Sequence, residues 1–280
     1  MNTLKLLSLL FLFSNIALCQ NNHLKDHILF YCSFDNGTKA DFSIGDAELF
    51  SAESYKKSSN SKIGIHDPEV MIAKGKGLTG DALQFKDQIN SAVYFNGYKN
   101  LGYSSTSWSG SFSLWLQVNP NTELAPGYCD PISLTDAQYN DAAIWVDFTD
   151  KNPRKFRLGV IGDIDVWNPE RKNSAEEFER RVATVDRPPF EGGKWTHILI
   201  TYVGINTDRS ISKLFIDGQF QGEIKGINDP FTWEEENAKI MLGLGYIGKI
   251  DDITVFDKAL NNDEIEIIYN LKGGVKELYR

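Results

Sequence analysis

The chain has 280 residues, 41% of them hydrophobic and 12% aromatic, with a net charge of −9. That much apolar material builds a sizeable core and excludes a disordered chain. The acidic balance argues against non-specific nucleic-acid binding, although a local basic patch can still hold an anionic glycan.

In chain order, residues 1–19 read as a signal peptide. Lys5 precedes an apolar run from Leu6 to Phe13, and the small residues Ala17 and Cys19 stand ahead of Gln20. The run is too short for a membrane span, and no later stretch approaches one. Residues 20–280 are then a single domain, secreted or periplasmic. Leu18 is bulky where a lipobox takes a small residue, which ranks a lipid anchor at Cys19 behind plain export. Two cysteines remain: Cys32 in the strand ILFYCSF and Cys129 in a loop after the WLQV strand. Export permits a disulfide between them, and two separate thiols are the alternative.

Residues 51–80 are polar and rich in Gly and Ser, a long loop excursion that carries His66. Strands are predicted at DALQFKD, SAVYFNG, SFSLWLQV, AAIWVDF and FRLGVIG, with the clearest period-two alternation in SFSLWLQV. An insertion over 163–192 breaks this rhythm. Within it NSAEEFERRVATV predicts a short helix capped by Asn173 or Ser174 and closed by Pro188 and Pro189. Arg171, Lys172, Arg180, Arg181 and Arg187 mix there with Glu170, Glu176, Glu177 and Glu179, as in either a solvated helix or a lid over a binding site. Strands follow at THILITYV, SKLFIDG and AKIMLGLG.

The run GKIDDITVFDKALNNDEIEIIYN (248–270) is the most informative stretch. It predicts a β-branched strand, then a helix opened by a capping box between Asn261 and Glu264. Ile265, Ile268 and Tyr269 share one face of that helix. Asp251 and Asp252 sit inside the strand, where Asp is depleted, and a bound cation is one explanation.

This run resembles the C-terminal signature of the laminin-G-like, concanavalin A-like lectin/glucanase jelly-roll family. GSFSLWLQVNP (110–120), GKWTHILITY (193–202), KLFIDGQFQG (213–222) and FDNGTKADFS (34–43) are similar to further family segments, in the family's order. The resemblance implies an all-β fold: a two-sheet antiparallel β-sandwich with a short C-terminal helix and a helical loop insertion. It does not fix an activity, because such folds host lectins, binding modules, glycosidases and lyases.

The Glu-x-Asp-x-x-Glu pattern of glycosidases on this fold is absent. The carboxylates of WEEEN (233–237) are consecutive and do not share a strand face. Asp147 and Asp150 lie near a strand end without a third partner. A lyase needs a base and a cation for the uronate, and Tyr139, Arg157 and His66 are the candidates if the chain is an enzyme. His197, in the Trp-x-His strand, is expected to be packed. Sugar binding needs aromatic faces with polar groups beside them. Trp145, Trp167 and Trp233 are the candidate platforms, with Arg154 and Arg157 beside them. Trp145 points away from the face that carries Ile144 and Val146. The resemblance also implies a structural calcium between the first and last strands, at Asp35 and Asp251. The alternative there is a turn cap and ordinary hydrogen bonds.

The expectation is a secreted carbohydrate-binding protein of an extracellular polysaccharide-degrading system, non-catalytic, binding a polysaccharide that can be anionic. A lyase or glycosidase on the same fold is the first alternative, and an adhesive protein-binding module the second. Oligomeric state is left open.

Overall fold

The computed structural model describes residues 23–54, 60–172 and 175–279. Residues 1–22, with Lys5 and Cys19 of the expected leader, lie outside the described residues, as do the helix-cap candidates Asn173 and Ser174. The early strands are short: β1 (Ile28–Cys32), β2 (Phe42–Ser43), β3 (Leu49–Ala52), β4 (Lys62–Ile63), β5 (Val70–Ala73), β6 (Ala82–Phe85) and β7 (Ala92–Asn96). Longer ones follow: β8 (Trp108–Gln117), β9 (Cys129–Gln138), β10 (Asp141–Phe148) and β11 (Phe156–Ile161). After two short helices, α1 (Ile164–Trp167) and α2 (Ala175–Glu179), come β12 (Val182–Val185), β13 (Trp195–Ile205), β14 (Ile211–Ile216) and β15 (Gln219–Lys225). The chain closes with β16 (Lys239–Leu244), β17 (Gly248–Phe256) and α3 (Asn262–Asn270). Among the described residues, no helix is long and apolar enough to cross a membrane.

The strands form two antiparallel sheets packed as a sandwich. One runs β15-β14-β13-β8-β17-β1-β2, with β6 and β5 continuing from β17; the other runs β12-β11-β10-β9-β16-β7-β3-β4. Alternation puts Phe112, Leu114 and Leu116 of β8 and Ile198 and Ile200 of β13 on the inner face of the first sheet. Ile144, Val146 and Phe148 of β10 and Leu158 and Val160 of β11 meet them from the second. Cys32 of β1 and Cys129 at the start of β9 are both buried free thiols. They belong to facing sheets, and no bond joins them. The expectation of a loop around Cys129 is corrected as well, since it opens a ten-residue strand.

The C-terminal expectations hold in detail. Asn261 caps α3 by accepting from the Glu264 backbone N–H at 3.1 Å, and Glu264 Oε2 accepts from the Asn261 N–H at 2.9 Å. Ile265 and Ile268 pack with Leu199, Phe215 and Phe256 on the outer face of the first sheet. Tyr269 stacks over Trp115, also on that face, with ring centroids 6.0 Å apart. In the β14–β15 hairpin Asp217 and Gly218 both have positive φ, the conformation that suits an Asp-Gly turn. The insertion differs from expectation: only its first half is helical. Val182–Val185 forms β12 instead, pairing with Phe156–Gly159 at the edge of the second sheet. Two valines and a threonine there favour a pleated edge over a second helical turn.

Candidate functional site: a groove on the outer face of the second sheet

The β10–β11 hairpin positions the site. Partners across it lie equidistant from Asn152, so Trp145 faces Gly159 and Asp147 faces Arg157. All four point away from the core that Ile144, Val146 and Leu158 fill. Gly159 is needed here. A Cβ on it would come within 2.2 Å of the Trp145 ring, so the indole lies flat where any other residue would stand. Trp145 donates its indole N–H to the Tyr139 carbonyl at 2.7 Å, which fixes the ring's orientation.

Asp147 and Arg157 form a bidentate ion pair, with Nε to Oδ1 at 2.8 Å and Nη2 to Oδ2 at 2.5 Å. Both are buried. Burial pushes the Asp147 carboxyl up, and the guanidinium only partly offsets that. Burial also works against the Arg157 charge, yet its bonds to Asp147 hold it above the ordinary arginine value. A guanidinium keeps its proton near neutral pH, and two close hydrogen bonds mark an ionised acceptor, so the pair is charged. The Arg157 guanidinium sits 5.0 Å from the Tyr128 ring and 5.5 Å from the Trp145 ring.

Above this floor lies a groove of about 790 Å³. Tyr128 and Tyr139, which bracket β9, line it and stay half exposed. Asp130, one residue into β9, lines it beside Asp147. Burial pushes the Asp130 carboxyl well above the usual range, the Asp147 charge adds to this, and Arg157 opposes it. The insertion makes one wall with Trp167 of α1 and Phe178 and Glu179 of α2. Arg181 pins that wall: Nε donates to Asp229 at 2.6 Å, Nη1 donates to the Glu177 carbonyl at 2.5 Å, and the guanidinium lies 5.1 Å from the Trp167 ring. The insertion's exposed charges pair among themselves, as in a solvated helix, while its Trp167 and Phe178 line the groove.

Of the candidates read from the sequence, Tyr139, Trp145, Arg157 and Trp167 come together here. Trp233 does not. It is buried beside Trp108 and donates its N–H to the Ala142 carbonyl, so it anchors a loop. Arg154 is buried as well, with its guanidinium donating to the Gly127 carbonyl at 2.7 Å and to those of Thr149 and Ala125. It staples the loop before β9 and offers nothing to a ligand. His66 lies on an exposed loop outside the groove, its Nε2 2.8 Å from the Ile63 carbonyl. Tyr128 and Asp130 were missed, and Asp147 was set aside. The hairpin's symmetry about Asn152 is the signal that would have paired Asp147 with Arg157.

The acidic residues between the first and last strands do not fit a calcium cage. Asp35 accepts from the Asp81 N–H at 2.8 Å and from the Lys276 ammonium at 2.8 Å. Asp251 accepts from the Leu78 N–H at 2.6 Å and from the Asp252 N–H at 2.7 Å. Asp252 accepts from the Tyr31 hydroxyl at 2.8 Å and from the Val275 N–H. Lys276 thus takes up one oxygen of Asp35, and among the described residues no group of three metal-ligating side chains converges. The Asp cost in the strand is offset by hydrogen bonds.

The model of the Concanavalin A-like lectin/glucanases superfamily matches residues 87–266. Among solved structures, domain 4 of a GH43 extracellular arabinanase from Geobacillus stearothermophilus, in complex with arabinotriose, aligns with a TM-score of 0.53. It is 17% identical and covers 86% of this chain and 98% of that domain. The botulinum neurotoxin serotype D binding domain aligns with a TM-score of 0.56 at 15% identity, over 90% of this chain and 52% of that one. The receptor binding domain of the mosaic serotype C/D neurotoxin gives 0.56 at 15%, over 88% and 51%. This chain therefore spans about half the length of those toxin domains. At these identities the likeness is one of fold. No curated protein matches the chain.

Proposed function

The chain belongs to the concanavalin A-like lectin/glucanase superfamily, and from that premise we propose that it is a secreted, non-catalytic glycan-binding module whose sugar lies in the Tyr128–Tyr139 groove. One observation carries the reading: two half-exposed tyrosine rings flank a polar floor, Asp130 with the Asp147–Arg157 pair, in a groove large enough for an oligosaccharide. Apolar sugar faces stack on exposed rings, and buried polar groups read the hydroxyls. The arabinotriose held by the arabinanase domain supports such a use of this sandwich. The leader belongs to the same proposal, as does service in an extracellular polysaccharide-degrading system.

Catalysis is the second reading, favoured by one observation. Asp130, pushed up by burial, stands beside Asp147, which Arg157 holds ionised, and neighbouring carboxyls of opposite protonation are the acid and base of glycoside hydrolysis. Against it, both Asp147 oxygens are held by Arg157, which leaves a poor nucleophile. The same engagement denies a lyase the free arginine that it needs.

The test is calorimetric titration of residues 20–280 with a panel of plant and algal oligosaccharides, alongside assays for new reducing ends and unsaturated uronates. We expect binding without new ends. Tyr128→Ala and Tyr139→Ala should each weaken it about fivefold or more while leaving the thermal midpoint unchanged, as befits exposed stacking rings. New ends would move the reading to an enzyme.

A further inference from the structure

One polar group in the groove stands without a hydrogen-bond partner. Asp130 is only 9% exposed, and among the described residues no hydrogen-bond donor reaches its carboxyl; its electrostatic neighbours are Asp147 and Arg157. Buried polar groups are rarely left so, because each unmade bond costs as much as its lost hydration.

The charged residues of the groove are already committed. Arg157 spends Nε and Nη2 on Asp147, and its Nη1 lies 4.0 Å from Glu179. Lys172, at the rim, is paired with Glu170. A uronate or sulfate entering here meets Asp147 and Glu179, and the cations beside them, Arg157 and Lys172, already have carboxylate partners. An ammonium only donates hydrogen bonds, and a carboxylate or sulfate only accepts them. Burial favours the protonated form of Asp130, which needs an acceptor for its proton and a donor for its other oxygen. A hydroxyl supplies both.

We propose that this groove selects an uncharged glycan, with the Asp130 carboxyl as the group that its hydroxyls satisfy. The proposal rests on the glycan reading of the groove and narrows it, setting aside the anionic polysaccharide that the composition left open.

The experiment titrates the protein with probes of three charge classes at one pH and ionic strength. Neutral probes are arabinotriose, cellotetraose and laminaritetraose; anionic probes are trigalacturonate and a heparin tetrasaccharide; the cationic probe is a deacetylated chitosan tetramer. At least one neutral probe should bind ten times or more tighter than every charged one. Asp130→Asn keeps a donor and an acceptor and should bind that probe within about threefold of wild type. Asp130→Leu should bind at least tenfold more weakly at an unchanged thermal midpoint. A charged probe that binds as tightly as any neutral one overturns the selectivity and leaves the glycan reading standing. Asp130→Leu binding like wild type overturns the role of Asp130. If no probe of any class binds, the glycan reading falls with it.

Discussion

At the residue scale, the groove depends on a side chain that is missing. Trp145 can lie flat on β10 only because Gly159 presents no Cβ beneath it. Gly159→Ala should therefore cost about 1–3 kcal/mol, the range for overpacking a closed site. It should also tilt the indole, changing the near-ultraviolet circular dichroism and weakening glycan binding severalfold. Loss of stability with an unchanged tryptophan signal would show that the backbone, not the indole, takes up the strain. Trp145 was legible as an outward-facing residue because its phase differs from that of Ile144 and Val146. Its seat depends on the hairpin register about Asn152, which sets Gly159 opposite it. Trp233 shows the reverse error. A tryptophan among prolines in a loop looks available, but the loop folds inward against Trp108 and Ala142. Arg154 and Arg157 are three residues apart and have unrelated roles, one capping loop carbonyls and one paired with Asp147. Only the turn between β10 and β11 separates them into those surroundings.

At the element scale, the insertion is the part of the molecule most exposed to loss. It contacts the second sheet through Trp167, Phe178 and Val182, and Arg181 ties it to Asp229. Both partners of that bridge are nearly buried, so its removal strands a carboxylate in a poorly hydrated site, a loss of about 3–5 kcal/mol where no rearrangement relieves it. Arg181→Met should therefore loosen residues 163–192 ahead of the sandwich. Proteinase K should cut there at least tenfold faster than in wild type while the far-ultraviolet spectrum is retained, and glycan affinity should fall with it. Equal cutting rates would mean that the aromatic contacts suffice. The element most fully written in the sequence is α3, because a capping box and an apolar face are local patterns. β9 was least legible. CDPISLTDAQ contains Pro131 and two aspartates, which depress its strand character. It is a strand because β10 and β16 pair with it on both sides.

At the scale of the whole molecule, several carboxyls are buried between strands and pushed up in the folded state. Burial, and then the Asp252 charge, raises Asp251 to about 8; burial raises Asp252 to about 6. In the unfolded chain each titrates near 3.9. A raised folded value means that the native state holds the proton longer. The associated stability is fully present below about pH 4 and is lost as pH rises through about 6 and 8. Urea unfolding should therefore show stability falling between pH 5 and 8, by at most about 1.4 kcal/mol per pH unit for each such carboxyl. Asp251→Asn should flatten that fall. A wild-type stability that climbs over this interval would sink the assignment. What the sequence determined by itself is the sandwich: alternation writes each strand's buried face locally, and the capped helix and the Asp-Gly turn are written in adjacent residues. What only the tertiary structure decided is the site. Tyr128, Asp130, Trp145, Arg157 and Trp167 come from separate strands and an inserted wall, and they meet through strand register and sheet packing. Those are relations between distant segments, which no local pattern encodes.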